Sequence, residues 1–310
     1  MTTESQLGPG AEFDAIRQLI ERWGPRASGI GDDAAVFRVA RGDAIVASVD
    51  TAVEGRHFRR EWLTPREIGY RAVAAALSDL AAMAARPVGI LVAIAMTAPW
   101  QTSLLEIADG IGDAVDVANT KILGGNLSGG GELSITTTVF GSAFSPLARA
   151  GARANDRVYV TGRLGAPAAA LRRLNAGQSD GTFHERFARP VPRLAESRWL
   201  VDHGASAGVD ISDGLVADAR HLGSASGVLI SLDGSRIPCA DGVEVELALQ
   251  SGEEYELLVT APAAIDSEAF ERRFGIPLTE IGVVHDGSAG KTNVDVSGVR
   301  VANAVGYDHF

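Results

Sequence analysis

Acidic residues gather in five short stretches of this chain: Gly29-Ile-Gly-Asp-Asp33, Ser48-Val-Asp-Thr51, Leu77-Ser-Asp-Leu-Ala-Ala82, Asp210-Ile-Ser-Asp-Gly214 and Ser251-Gly-Glu-Glu-Tyr-Glu256. Several stand beside small residues at the ends of apolar runs, where a carboxylate is well placed to hold a hard cation. Mg²⁺ takes carboxylate oxygens together with phosphate oxygens. The pattern therefore suggests a metal–nucleotide site assembled from distant parts of the chain.

Each stretch has its own physical reading. Asp32 and Asp33 are adjacent carboxylates, which repel unless a cation lies near; a solvated turn explains them equally well. Gly29 to Ala34 fits the loose pattern G-x-G-x-x-A, but the preceding segment reads as a helix, so a dinucleotide fingerprint is rejected. Asp50 follows the apolar run 44–49, at the expected end of a strand, where ligand-bearing residues collect; a turn-starting Asp capping Thr51 is the plainer alternative. Asp79 lies inside a predicted helix among Ala76, Leu77, Leu80 and Ala81. A helix-interior Asp has poor propensity, and a buried carboxylate needs a partner or a metal.

Residues 121–131 read as a glycine-rich loop whose five glycines allow close approach to a ligand and an anion nest, or simply a long connection. Asp210 and Asp213 bracket Ser212 ahead of a predicted helix, a position that suits a phosphate–metal group, although Asp213 could be the N-cap. Residues 251–256, taken alone, read as a charged loop. The stretch Gly287-Ser-Ala-Gly-Lys-Thr292 lacks the first Gly of a P-loop, with His285 in its place, and reads as a β-turn. His57, His184, His203, His221, His285 and His309 show no metal-ligand spacing, and no G-x-S-x-G elbow occurs.

The elements that must position these groups follow from periodicity. Phe13, Ile16, Ile20 and Trp23 recur at helical spacing. Strands are expected over 44–49, 89–96 and 133–140, and helices over 66–85 and 104–119. A linker is expected near 142–156, after which the alternation restarts, with strands over 157–161, 228–232, 255–260 and 280–285. Helices are expected over 165–174, 192–203, 214–226 and 265–273, with a polar loop at 175–181. The fold class is α+β in two domains: an N-terminal mixed-sheet α/β domain over 1–145 and a C-terminal α+β domain over 146–310.

With 310 residues, 46% of them apolar, the chain can bury two cores, and disorder is excluded. A net charge of −11 disfavours nucleic acid and anionic membranes as partners. Bound cations would reconcile that charge with a nucleotide ligand. The single cysteine, Cys239, excludes a disulfide framework and fits a reducing cytoplasm. Residues 1–8 do not read as a signal peptide, and the apolar run 87–99 is too short to span a bilayer.

Taken in order, the segments resemble thiamine-monophosphate kinases, members of a superfamily with aminoimidazole ribonucleotide synthetase, selenophosphate synthetase and a hydrogenase maturation factor. The resemblance rests on Glu12-Phe13, the Asp32-Asp33 loop, Val49-Asp-Thr-Ala-Val-Glu-Gly-Arg-His-Phe58, Ala76-Leu-Ser-Asp-Leu-Ala-Ala-Met83, Asp210-Ile-Ser-Asp-Gly-Leu215, Glu253-Glu-Tyr-Glu-Leu-Leu258 and the closing Gly306-Tyr-Asp-His-Phe310. It implies ATP-dependent, direct in-line phosphorylation of thiamine monophosphate to thiamine diphosphate, assisted by several Mg²⁺ ions. It also implies a cytoplasmic homodimer built through the N-terminal domains, with ATP near that interface and the C-terminal domain completing the substrate cleft. By position, Asp33, Ser48, Val49, Asp50, Asp79, Asn126, Asp210 and Asp213 match metal ligands. Gly125, Asn126, Arg149 and Ser212 match ATP contacts, and His57, Glu253 and Tyr307 match substrate contacts. The family's usual Gly-Gly-Asp-Thr is here Gly124-Gly-Asn-Leu127, so one expected anionic ligand is neutral. That leaves open a related ATP-using enzyme with another small-molecule substrate, or a catalytically weakened nucleotide-binding relative.

Overall fold

The computed structural model describes residues 11–27, 37–178, 181–287 and 293–299. Asp32, Asp33, Tyr307 and most of the 287–292 turn lie outside them. The chain forms two compact units, Met1–Leu80 with Arg86–Ser145, and Ala81–Ala85 with Pro146–Phe310.

In the first unit, helix α1 (Ala11–Trp23) is followed by β1 (Ala44–Val53), α2 (Pro65–Ala82), β2 (Arg86–Met96), α3 (Ala98–Gln101), α4 (Leu104–Val117), β3 (Ile122–Gly129) and β4 (Ser134–Ala143). The strands form one mixed sheet in the order β1-β4-β2-β3, with only β2 and β3 parallel. Thr64 starts α2 with a reciprocal cap: its hydroxyl oxygen accepts from Glu67 N–H, and Glu67 Oε2 accepts from Thr64 N–H at 2.8 Å. α2 and α4 touch backbone to backbone. A Cβ on Gly69 would stand 2.1 Å from the Ile107 carbonyl oxygen, and one on Gly110 1.8 Å from that of Arg66, so both positions need glycine.

Two sequence expectations are corrected here. β1 does not stop at Val49. Thr51, Ala52 and Val53 continue its pairing with Thr136, Ile135 and Ser134, so Asp50 lies inside the strand. The glycine-rich stretch is no loop, because residues 122–129 are a strand parallel to β2. Glycine serves packing there: a Cβ on Gly125 would lie 1.9 Å from the Val92 carbonyl oxygen.

The second unit contains β5 (Arg157–Thr161), α5 (Ala166–Asn175), α6 (Gly181–Ala188), α7 (Leu194–Asp202), β6 (Ala207–Asp210), α8 (Leu215–Ser226), β7 (Val228–Asp233), α9 (Val245–Gln250), β8 (Leu257–Ala261), α10 (Ser267–Phe274), β9 (Leu278–Asp286) and β10 (Val294–Ser297). Its six-stranded sheet runs β10-β7-β9-β5-β8-β6, antiparallel except for β10 and β7. Val158, Val209, Leu222, Ile230, Leu258 and Ile281 fill a core between this sheet and α8. The short α6, α9, β6 and β10 escaped the periodicity reading. Among the described residues, no helix is long and apolar enough to cross a membrane.

Candidate active site

The first unit sets its polar groups on regular elements. Ser48 and Asp50 sit two residues apart on β1, in register with the buried Val139 and Thr137. The Ser48 hydroxyl donates to Asp79 Oδ2 at 2.5 Å, so α2 delivers its interior carboxylate to this strand face. Asp79 is half-buried and has further partners, so it is not an uncompensated charge. Asp50 is exposed, and its Oδ1 accepts from Thr51 N–H at 2.8 Å. Val49 points the other way and is 61% exposed.

His57 closes a tight turn after β1. Its Nδ1 accepts from Val53 N–H at 3.1 Å, which places the ring proton of the neutral form on Nε2. Glu54 anchors the turn: its Oε2 accepts from Trp100 Nε1–H at 2.8 Å, while Arg60 stacks 4.0 Å above the Trp100 ring.

The second unit stitches two acidic motifs together through backbone bonds. Glu253 N–H donates to the Ser212 carbonyl at 2.7 Å, Tyr255 N–H to that of Ile211 at 2.9 Å, and Ile211 N–H to that of Glu256 at 2.8 Å. Glu253 and Tyr255 both adopt left-handed backbone, with φ of 59° and 53°. Such non-glycine strain persists only where the surroundings over-determine it, and it concentrates at functional sites. Residues 251–256 form a loop, as the sequence suggests, but a largely buried one. Glu254 and Glu256 are 0% and 1% exposed.

Glu256 is held on both oxygens. Arg193 donates to it twice, from Nε at 2.8 Å and Nη2 at 2.5 Å, Arg186 donates at 2.8 Å and Thr161 Oγ1 at 2.7 Å. Glu254 accepts the Gly165 N–H on Oε1, at 2.5 Å, while its Oε2 has no hydrogen-bond partner and lies 4.0 Å from Arg186 Nη2. Burial pushes its carboxyl up to about 7.

A residue that sequence reading missed organises the Asp210–Gly214 loop. Asp218, in the first turn of α8 and 2% exposed, accepts on Oδ2 from the successive N–H groups of Ser212, Asp213 and Gly214 at 3.0, 3.0 and 3.1 Å. Burial, reinforced by the nearby charges of Asp210 and Asp213, pushes its carboxyl up to about 7. The signal that could have found it is the one that singled out Asp79: an acid inside a helix, between Ala217 and Ala219. Asp213 does not cap α8; Gly214 is the cap residue. The N–H groups of the loop ahead of the helix are not open to a phosphate, because Asp218 already accepts from those of Ser212, Asp213 and Gly214. Side-chain oxygens remain, with Asp210 buried and Ser212 and Asp213 half-buried, and this donor chemistry suits a hard cation.

Asp213, Asp218 and His221 each offer a ligand atom within 4.8 Å of the others'. That corrects the expectation that no histidine has metal-ligand spacing, since Asp218 and His221 share one helix face at i, i+3.

Two expected site residues are not brought to these clusters. Asn126 lies in register with Ala93, Thr136 and Thr51, on the opposite sheet face from Asp50. It is also three strands from β1, about 14 Å across the sheet. Arg149 is exposed, and its carbonyl accepts from Ser226 Oγ at 2.9 Å, at the far end of the 12-residue α8. That is about 18 Å along the helix from Ser212.

Comparison with known proteins agrees with this architecture. Residues 31–143 match the family model for AIR synthase related proteins, N-terminal domain, which sets the class. Within that class, the thiamine-monophosphate kinase of Bacillus subtilis (strain 168) is 31% identical, over 96% of this chain and 99% of that protein. That of Methanopyrus kandleri is 34% identical, over 90% and 91%. The crystal structure of thiamine-monophosphate kinase from Stenotrophomonas maltophilia K279a superposes with a TM-score of 0.82 at 31% identity, covering 93% of this chain and 97% of that one. A structure of AaThiL complexed with AMPPCP and TMP gives 0.77 at 29%, covering 96% and 95%. The hydrogenase maturation protein HypE of E. coli, 19% identical with a TM-score of 0.75, shares the fold. The chain belongs to the thiamine-monophosphate kinase family.

Proposed function

We propose that the protein transfers the γ-phosphoryl group of ATP to thiamine monophosphate, forming thiamine diphosphate and ADP. The observation that carries this reading is the near-full-length match to thiamine-monophosphate kinases, which spans both units and includes a neighbour complexed with AMPPCP and TMP. The acceptor is a phosphate monoester, whose second pKa is about 6. It is anionic at neutral pH, so direct in-line attack needs no strong general base. The difficulty is charge repulsion between two phosphate groups, and bound Mg²⁺ supplies neutralisation and alignment.

This chain's residues divide the work. Asp33, Ser48, the Val49 carbonyl, Asp50 and Asp79 would hold metal from the first unit, and Asp210 and Asp213 from the second. Gly125, Asn126, Arg149 and Ser212 are each assigned to nucleotide contacts by their position in the family's motifs. His57, Glu253 and Tyr307 orient thiamine monophosphate, with Glu253 fixed by its strained backbone.

A cytoplasmic homodimer through the first unit completes the reading. Asp50 and Asn126 lie on opposite faces about 14 Å apart across the sheet, a separation that a second copy could bridge. Ile45 and Val49, 60% and 61% exposed on β1, offer an apolar face for that contact. The test is ADP release by the full chain with Mg-ATP, with and without thiamine monophosphate. ADP formation that requires both thiamine monophosphate and Mg²⁺ supports the reading; none above background from a folded protein overturns it.

A further inference from the structure

We infer that Asp218 is the positioning and specificity residue that makes nucleotide binding at the Asp210–Gly214 loop depend on a divalent cation. This rests on the reading above that the loop faces a metal-bound nucleotide.

Successive backbone N–H groups that converge on one point form a nest, and an empty nest binds phosphate or carboxylate directly. Here the nest is filled from within. Ser212, Asp213 and Gly214 donate to a single Asp218 oxygen, all at 3.0–3.1 Å. Asp218 N–H donates in turn to the Gly214 carbonyl at 3.0 Å, so loop and helix close on each other. The Ser212 peptide is clamped from both sides, its N–H by Asp218 and its carbonyl by Glu253. What the loop can offer a ligand is thus the side-chain oxygens of Ser212, Asp213 and Asp210, arranged around the carboxyl of Asp218. Metal-free polyphosphate meets repulsion there, whereas a cation bridging to phosphate meets attraction. Without Asp218 the same three N–H groups become anion donors, and one of the three clustered carboxyl groups is gone.

Calorimetric titration of the full chain with ADP, once with Mg²⁺ and once with EDTA, tests this without turnover. The affinity ratio between the two conditions is expected to fall at least about tenfold in Asp218→Ala. It should fall less in Asp218→Asn, whose amide oxygen can still accept the N–H groups but without charge. A ratio within twofold of wild type in folded Asp218→Ala overturns the inference. So does an equal loss of affinity under both conditions, which is what a merely structural role produces. If Asp218→Ala does not fold, Asp218→Asn decides by the same ratio, with at least a threefold fall expected. Failure of the kinase reading shows separately, as wild-type protein that binds Mg-ADP but makes no ADP in response to thiamine monophosphate. Wild-type protein that binds ADP equally well in Mg²⁺ and EDTA overturns the role of Asp218 whatever the substrate.

Discussion

The two units present carboxylates in opposite ways. In the first, Ser48, Asp50 and Asp79 project from a strand and a helix, half-buried or exposed, and one hydroxyl joins the strand to the helix. In the second, the acids are packed inside: Asp210, Asp218, Glu254 and Glu256 are each at most 4% exposed, and left-handed backbone brackets Glu254. A site built on regular elements gets its geometry from register, so its side chains can be replaced without loss of fold. A site built on a folded-back loop needs buried ion pairs and backbone bonds to exist at all. Substitutions in the second unit should therefore cost stability, and those in the first should cost function alone.

The largest effect expected from this contrast is at Arg193. Arg193→Ala leaves Glu256 buried with part of its pairing gone, and removing one partner of a buried pair costs about 3–5 kcal/mol. Chemical denaturation should show that loss, and a change under about 1 kcal/mol would mean the network is not structural.

Next comes Glu254. Its folded-state carboxyl is raised from 4.5 to about 7 by burial. The sign follows from linkage: stability is fully present below pH 4.5 and declines as pH rises through 7, by roughly 3 kcal/mol for this group. Glu254→Gln should remove that part of the decline between pH 5 and 8. An unchanged slope in the variant would break the assignment.

Third, Asp79→Asn and Asp213→Asn should each lower kcat/KM about a hundredfold, or about 2.7 kcal/mol. Asp79→Asn should leave the denaturation midpoint nearly unaltered, and Asp213→Asn should shift it. Equal shifts for both would erase the difference between the units.

The smallest effect is expected at Asn126. Asn126→Asp adds one charge near a proposed ion, worth about 1 kcal/mol at solvent-like screening. It should lower the Mg²⁺ concentration for half-maximal rate about fivefold, and no change would remove position 126 from the metal set.

Which features were legible in the sequence follows the same division. Asp79 was readable because a helix-interior acid among Ala76, Leu77 and Leu80 violates propensity, and one local rule sufficed. β1 and β2 were readable from apolar runs, though β1 was cut short where Asp50 and Thr51 broke its hydrophobicity. The second unit's site was hidden because its logic is long-range. Nothing local to Glu256 announces Arg186 and Arg193, some 70 and 63 positions away. Asp218 obeys the rule that exposed Asp79, yet it sits behind Asp213, which already explained the helix start. Gly125 misled because glycine signals both a turn and a close packing contact, and only the neighbouring Val92 carbonyl distinguishes them.

The most direct test of the whole account is product identity. Full-length protein is incubated with Mg-ATP and thiamine monophosphate, and ADP and thiamine diphosphate are quantified together by chromatography. The account predicts one thiamine diphosphate per ADP, with both abolished by EDTA. ADP without thiamine diphosphate, or neither product from folded protein, would contradict it.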